Sequence, residues 1–199
     1  VVRIPGIAET SPKREDKVVL KDAEWKKRLK PDQYDILRNH GTEPAFCGVN
    51  LAQKGPGVYF CAGCDLPLFS AASKFNSGTG WPSFTAPFDA KNVWFRVDRS
   101  YGMVRTEVLC ARCDGHLGHV FPHNTPTRLR YCINGKVLNF VSEKYIKAHM
   151  AKSKQGKSAP DLSDTYDQTH TDADDKKAGD GKSDHAPPSS SAKARTRLC

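Results

Sequence analysis

Two closely spaced cysteine pairs are the residues of this sequence most suited to chemistry. They are CAGC at residues 61–64 and CARC at residues 110–113. Two thiolates at this spacing on a tight turn reach one ion, and four complete a tetrahedral zinc site with Zn–S distances of about 2.3 Å and no open position. The sequence therefore predicts one structural zinc ion per chain. Its expected ligands are Cys61, Cys64, Cys110 and Cys113.

Two other uses of these pairs stay open on the residues alone. Residues 65–109 separate the pairs, which is more than the roughly 15–20 residues of a simple zinc ribbon, so a sheet would have to bring the turns together. A redox-active Cys-x-x-Cys is less favoured, because two such motifs occur and neither fits a thioredoxin-like βαβ pattern. A pair of structural disulfides is the alternative for a secreted chain.

Cys132 has no nearby cysteine partner in the sequence and lies in the strand-like run RLRYCINGK. A lone cysteine in a strand is most often an inert buried filler. The other interpretations are half of a disulfide and a nucleophile. Arg130, two residues earlier, would lie on the same face of the strand, and its positive charge would favour the thiolate.

His116 and His119 form a His-x-x-His pair that a metal could bind or that could be structural. A zinc site with four sulfurs has no need of them.

The elements that must position these residues are mostly short strands. Strand-like runs cover residues 58–61, 93–98, 103–110, 119–121, 130–134 and 136–140. Val104, Thr106 and Val108 alternate with Arg105 and Glu107, which is typical of a half-buried antiparallel strand. Two short helices are expected within residues 22–43, separated at Pro31 and with Gly41 ending the second, and SEKYIKAHM predicts a last helix. The pattern predicts an antiparallel sheet structure with helices at its N-terminal end.

Composition divides the chain into three parts. From residue 151 onward it is rich in Lys, Asp, Ser, Ala and Gly and has few aliphatic residues, so it cannot offset the entropy of ordering. We expect a flexible segment over residues 1–17, a domain over 18–150 and a disordered polar tail over 151–199. Residues 1–150 hold 22 Lys and Arg and 14 Asp and Glu, most of the net charge of +9. The basic residues are not interleaved with aromatics, so a solvated basic surface is favoured over nucleic-acid binding.

Three longer motifs resemble the B-type methionine sulfoxide reductases, which reduce the R epimer of methionine sulfoxide. They are SKFNSGTGWPSF (73–84), GHLGHVF (115–121) and RYCIN (130–134), bracketed by CAGC and CARC. WKKRL, DQYDILRNHGTEPAF and CDLPLF also match, so the resemblance covers residues 22 to about 148. It implies a mainly β fold of two antiparallel sheets in a small barrel or tent-like arrangement, with short N-terminal helices and a structural zinc site.

The resemblance also implies roles for the candidate residues. Cys132 takes the nucleophile position, and the product of its attack on a sulfoxide is a sulfenic acid. His116 and His119 would position and protonate the sulfoxide oxygen, and Asn134 would orient one of these groups or hydrogen-bond the substrate. Trp81 would form an apolar wall for the substrate methyl group, although a core role stays open. Phe121 would contact substrate or pack beneath it.

This chain departs from the family pattern at the second cysteine. Many members carry a resolving cysteine where this chain has Thr79, and others carry it in the loop after the GTE motif, where this chain has Cys47. We therefore predict a Cys47–Cys132 disulfide as the catalytic intermediate, with thioredoxin as the reductant. Cys199, at the end of a tether of about fifty residues, is the alternative resolving cysteine. The long tether lowers its effective concentration at Cys132.

Two other classes of function remain as alternatives. One is a zinc-stapled binding module without catalysis, against which the joint presence of Cys132, His116 and His119 counts. The other is a basic zinc protein that binds nucleic acid. The favoured interpretation is a monomeric repair enzyme for oxidised proteins and peptides, with no nucleic-acid or membrane partner. Its expected location is intracellular, in the cytosol or a mitochondrion.

Overall fold

The computed structural model describes residues 6–48 and 50–153, which form nine strands and three α-helices. The strands are β1 (Gly57–Cys61), β2 (Pro67–Ser70), β3 (Lys74–Phe75), β4 (Ser83–Phe84), β5 (Val93–Asp98), β6 (Arg105–Cys110), β7 (His116–Pro122), β8 (Leu129–Ile133) and β9 (Leu138–Ser142). The helices are α1 (Asp22–Arg28), α2 (Pro31–Asn39) and α3 (Glu143–Ser153).

The strands form two antiparallel sheets, which confirms the predicted mainly β fold. The smaller sheet has the order β2-β1-β9, and the larger has the order β3-β4-β8-β7-β6-β5. Strand β8, which carries Cys132, lies inside the larger sheet between β4 and β7. A backbone hydrogen-bonded on both sides is held firmly, so a side chain placed there has a well-defined position.

Aromatic side chains join the two sheets in the core. Phe69 of β2 stacks on Phe84 of β4 with ring centroids 4.4 Å apart, and Tyr59 of β1 meets Phe84 edge-on at 5.2 Å. All three residues are fully buried. Each such side chain removes a large apolar area from water, so this contact is a main source of cohesion between the sheets.

Three strands of the structure were not predicted from the sequence. Strands β3 and β4 have two residues each, and the run between them contains Gly78 and Gly80 at positive φ, so no period-2 pattern could develop. Strand β2 begins at Pro67 on the edge of its sheet, where the missing N–H of proline is tolerated.

The last predicted strand, 136–140, is displaced to β9, and its first residues form a 3₁₀ turn instead. The cause is Glu43. Its carboxylate accepts the backbone N–H groups of Gly135 at 2.6 Å and Lys136 at 2.9 Å. Amides bound in this way are not available to a neighbouring strand.

The predicted end of the second helix is correct in place but not in the residue that ends it. The left-handed backbone conformation falls on His40, with φ 58° and ψ 32°, rather than on Gly41. Its side chain extends from there to Glu107 of β6, with 2.7 Å between His40 Nδ1 and Glu107 Oε1. This hydrogen bond supports a conformation that is usually given to glycine or asparagine.

The ends of the predicted domain are only partly described. Within the predicted N-terminal segment, Ile7 forms a bridge to Phe95, and Lys17 forms an ion pair with Asp114 at 2.7 Å. Helix α3 passes the predicted boundary at 150 and continues to Ser153, and the rest of the predicted tail lies outside the described residues. Among the described helices, none has both the length and the apolar character to cross a membrane.

Candidate active site and metal centre

Two similar turns bring the four paired cysteines together. Cys61 ends β1 and Cys110 ends β6. In each turn the residue four positions on donates its N–H back to the cysteine carbonyl, Asp65 to Cys61 at 2.8 Å and Asp114 to Cys110 at 2.9 Å. Both aspartates have positive φ, which closes the turn.

The four thiols are buried and form one cluster. The Sγ atoms of Cys64 and Cys110 are 3.4 Å apart, those of Cys61 and Cys113 are 3.7 Å apart, and all four lie within 4.8 Å of one another. A tetrahedral zinc ion with Zn–S bonds of about 2.3 Å needs S–S separations of about 3.8 Å. None of the four is disulfide-bonded. The donor set fits Zn²⁺, which would join the two sheets through β1 and β6.

A row of side chains crosses the larger sheet on one face and contains Cys132. Residues directly opposite each other in adjacent antiparallel strands share a face. Cys132 pairs with Ser83 of β4 on one side and His119 of β7 on the other; His119 pairs with Glu107 of β6, and Glu107 pairs with Arg96 of β5. The sheet register therefore places a thiol, an imidazole and a carboxylate side by side.

Cys132 is a free, half-buried thiol. Burial raises its pKa, while the charge of Arg130 and hydrogen bonds from Arg130 and Thr79 oppose that rise. Arg130 acts in the direction expected from the sequence, but burial outweighs it. The guanidinium also lies 4.9 Å from the ring centroid of Phe121 and donates to Thr79 Oγ1 at 3.4 Å, so aromatic and hydroxyl contacts hold it beside the thiol.

Each candidate histidine is held by a carboxylate, and through a different ring nitrogen. His116 Nδ1 lies 2.7 Å from Glu107 Oε1, and His119 Nε2 lies 2.8 Å from Asp98 Oδ2. Burial alone would raise the pKa of Glu107 and Asp98, but hydrogen bonds from the histidines and other neighbours outweigh it and hold both well below their usual range. Both carboxylates are therefore ionised acceptors, and the imidazole nitrogens donate to them.

Because the two histidines bind their carboxylates through different ring nitrogens, a different nitrogen remains available in each ring. His116 keeps Nε2, which is buried and finds no hydrogen-bond partner in the described part of the chain, and His119 keeps Nδ1. The two rings lie 5.4 Å apart, centroid to centroid. Burial lowers the pKa of His119, and Asp98 opposes that shift. Two oriented imidazoles next to a thiol can bind and protonate an oxygen that the thiol displaces.

Asn134 and Trp81 are both tied to Glu43. Asn134 Oδ1 accepts the N–H of Glu43 at 3.0 Å, and its Nδ2 donates to the carbonyl of Leu117 at 3.1 Å. Trp81 Nε1 donates to the carbonyl of Glu43 at 3.0 Å, and this hydrogen bond fixes the orientation of the half-buried ring. The described bonds of Asn134 thus go to the backbone beside the site and not to either histidine.

Cys47 lies in a short loop between Glu43 and Asn50. These two residues, the stems of the loop, are hydrogen-bonded to residues that follow Cys132 in sequence. Glu43 binds Gly135 and Lys136 as described above, and Asn50 Nδ2 donates to the carbonyls of Gly135 at 2.8 Å and Leu138 at 2.6 Å. Cys47 is disulfide-bonded in this structure, so its thiol becomes available only after reduction. The Cys47–Cys132 pairing stays a prediction.

Several residues of the site were missed by reasoning from the sequence. Glu107 was assigned to the polar face of its strand, yet only 3% of its surface is exposed. Its burial is explained by the two histidines and the arginine around it. His116 and Arg96 are on the neighbouring strands, 9 and 11 positions away, whereas His40 is 67 positions away. Phe46 has φ 67° and is 69% exposed, and its ring lies against Gly80, where a Cβ would come within 2.9 Å of it. Gly80 directly precedes Trp81, so Phe46 is a further aromatic side chain beside this segment of the site.

Comparison with known proteins gives one consistent result. The family model described as the SelR domain matches residues 29–142. Several proteins named peptide methionine sulfoxide reductase MsrB are similar to more than half of the chain. The one from Thiobacillus denitrificans is 55% identical over 120 residues, which are 60% of this chain and 91% of that protein. Those from Caulobacter vibrioides and Agrobacterium fabrum are 58% identical over 114 residues and 51% over 132 residues, covering 57% and 66% of this chain and 72% and 95% of theirs.

Proposed function

Because the chain belongs to the family of B-type peptide methionine sulfoxide reductases, we propose that it reduces methionine-R-sulfoxide in oxidised proteins and peptides and so repairs them. The observation that supports this most strongly is the sheet register, which sets Cys132 beside His119 and His119 beside Glu107. A binding module without catalysis would have no need of a thiol, two oriented imidazoles and two ionised carboxylates in one place.

The first step transfers oxygen from the substrate to the enzyme. The Cys132 thiolate attacks the sulfoxide sulfur, and a proton passes to the sulfoxide oxygen. The oxygen then moves to Cys132 as a sulfenic acid, and methionine leaves with the sulfur reduced. Arg130 favours the thiolate, and His116 and His119 hold and protonate the oxygen. Trp81 and Phe121 form the apolar wall that receives the methyl group.

The second step returns Cys132 to a state that a reductant can use. The Cys47 thiolate attacks the sulfur of the Cys132 sulfenic acid and forms a disulfide. The S–O bond breaks, and the hydroxide takes up one proton to leave as water. A thioredoxin-type dithiol then reduces that disulfide and restores both thiols. The short loop supports this assignment, because its stems keep Cys47 close to the strand that carries Cys132. Disulfide formation needs Cα atoms within about 7 Å, so the loop must close on the site.

The zinc ion, when bound by the four cysteines, supplies no open coordination position and therefore acts on stability rather than on the chemical step. Two of its ligands end strands of different sheets: Cys61 ends β1 of the smaller sheet, and Cys110 ends β6 of the larger sheet. We assign it the role of holding the sheets together, which substitutes for hydrophobic core in a domain of this size. The named relatives are bacterial and give no support to a mitochondrial location.

The function and the resolving cysteine are tested with protein that has first been fully reduced. Cys132→Ser should form no methionine, because its thiolate is used in the chemical step. Cys47→Ser should form one methionine per enzyme and then stop when thioredoxin is the only reductant. Cys199→Ser is the matched control and should cycle normally.

The opposite pattern would reject this assignment. If Cys47→Ser cycles with thioredoxin while Cys199→Ser does not, the tail cysteine is the resolver. If Cys132→Ser retains activity, Cys132 is not the nucleophile, and the proposed mechanism is wrong.

A further inference from the structure

Outside the four-cysteine cluster, His40, Glu107 and His116 bring three metal-binding side chains together. His40 follows α2, Glu107 is on β6 and His116 begins β7. Both Nδ1 atoms lie 2.7 Å from the same oxygen, Glu107 Oε1, and the three ligand atoms lie within 4.8 Å of one another. The rings of the two histidines are 5.4 Å apart, centroid to centroid.

We propose that this triad is a second metal site, which binds a divalent ion of the Zn²⁺ or Co²⁺ type separately from the four cysteines. Two imidazoles and one carboxylate are a donor set that such ions prefer, and they leave a fourth position for water. The site is formed where the end of α2 and two adjacent strands, β6 and β7, place their side chains together.

The geometry needs only a small adjustment. With metal–ligand bonds of about 2.0–2.1 Å, tetrahedral ligand atoms lie about 3.3 Å apart, so each Nδ1–Oε1 distance would open by about 0.6 Å. Glu107 and His116 are buried, but the side chain of His40 is 49% exposed and can move outward. The same exposure gives an ion a route from solvent. On binding, each imidazole shifts its proton from Nδ1 to Nε2.

Arg96 affects both the orientation of Glu107 and the affinity of the proposed site for a metal ion. Its guanidinium binds the other oxygen of Glu107, with Nη2 at 2.8 Å and Nε at 3.0 Å, and so turns Oε1 toward the two imidazoles. Its positive charge also opposes the ion. The site should therefore bind metal more weakly and more reversibly than four thiolates do.

An ion bound here would inhibit the reductase. In the metal-free enzyme His116 must gain a proton on Nε2 before it can donate one to the sulfoxide oxygen. A metal on Nδ1 leaves a neutral ring whose Nε2 proton is far less acidic than that of an imidazolium. This consequence rests on the catalytic role proposed above for His116, whereas the binding of metal does not.

The test is a titration of the full-length protein, reduced and with zinc in the four-cysteine site, with Co²⁺ in buffer free of thiols. We expect one further equivalent to bind with the visible absorption of cobalt in nitrogen and oxygen ligands and without a sulfur-to-cobalt charge-transfer band. His40→Gln keeps a hydrogen-bond donor to Glu107 but should weaken this binding by at least about tenfold. His123→Gln, at another exposed histidine, is the matched control and should leave binding unchanged.

Two results would overturn the metal site. One is binding of Co²⁺ with a sulfur charge-transfer band, which would assign the ion to a cysteine thiolate. The other is equal affinity in His40→Gln and the unaltered protein. Zn²⁺ should also slow single-turnover methionine formation in the unaltered protein but not in His40→Gln at the same concentration. Binding that leaves this rate unchanged confirms the metal site and removes His116 from its proposed role as the acid.

Discussion

Replacing Glu107 with glutamine tests the arrangement of the site most directly. Its carboxylate accepts hydrogen bonds from His40 and His116 on Oε1 and from Arg96 on Oε2, the latter through two nitrogens. Glutamine has nearly the same volume but only one acceptor oxygen, and its NH₂ group must face either the imidazoles or the guanidinium. If the NH₂ group faces the guanidinium, both hydrogen bonds to Arg96 are lost. If it faces the imidazoles, both rings must move their protons from Nδ1 to Nε2.

The magnitude follows from the burial of those groups. A hydrogen bond to a charged group contributes about 1.5–3 kcal/mol to stability. The Arg96 side chain is 42% exposed, so losses on that side are reduced by solvent. We expect Glu107→Gln to lower the free energy of unfolding by about 3 kcal/mol at pH 7. Urea denaturation followed by tryptophan fluorescence measures this, with exposed Glu9→Gln as the charge-matched control.

The effect should depend on pH with a definite sign. The folded-state pKa of Glu107 is depressed, so its ionised form stabilises the fold above the unfolded-state pKa, and this stabilisation is lost as the pH falls toward the folded-state value. The difference between the unaltered protein and Glu107→Gln should thus be full at pH 7 and shrink below about pH 4. Comparing the two proteins cancels what they share, such as acid-driven zinc loss. A difference that grows in acid would refute the reasoning.

Three further outcomes are expected. Cys64→Ser should lose zinc and stability together, measured by metal analysis and thermal melting; a stable, active variant without zinc would contradict the structural role. Arg130→Met should move the pH profile of Cys132 alkylation, followed on its own peptide by mass spectrometry, to higher pH, because burial then acts on the thiol pKa without the opposing charge. An unchanged profile would mean that Arg130 does not act on the thiol. The R epimer of methionine sulfoxide should be consumed and the S epimer left, and equal use of both would argue against a pocket shaped by Trp81.

The parts of the fold that sequence predicts well are those with local patterns. The strand over residues 93–98 matches β5 at both ends, and Pro31 begins α2 as expected for a first helical position. Cysteine spacing likewise predicted the four-thiol cluster. The first two depend on residues within a few positions of one another. The cluster depends on two such short motifs, although residues 65–109 separate them, so each signal is present in a short window of sequence.

What could not be predicted depends on contacts between distant parts of the chain. Glu43 redirects the amides of Gly135 and Lys136, which are more than ninety positions away, and so moves the start of β9. Glu107 alternates with apolar residues, a pattern that predicts exposure to solvent. It is buried because His40, at the end of α2, lies against it on the sheet. Polar residues recruited in this way carry no periodic signal of their own.

The two fixed stems around Cys47 have a consequence for kinetics. Cys47 is four positions along the chain from Glu43, with three residues between them, so the cysteine can lie at most about 14 Å from that end of the loop. A thiol confined to so small a volume meets Cys132 at a high local concentration that does not depend on the concentration of the protein. The length of this loop, rather than the stability of the domain, should then govern how fast the proposed Cys47–Cys132 disulfide forms. Lengthening it with inserted glycines would slow closure while the sheets and the thiol chemistry stay as they are.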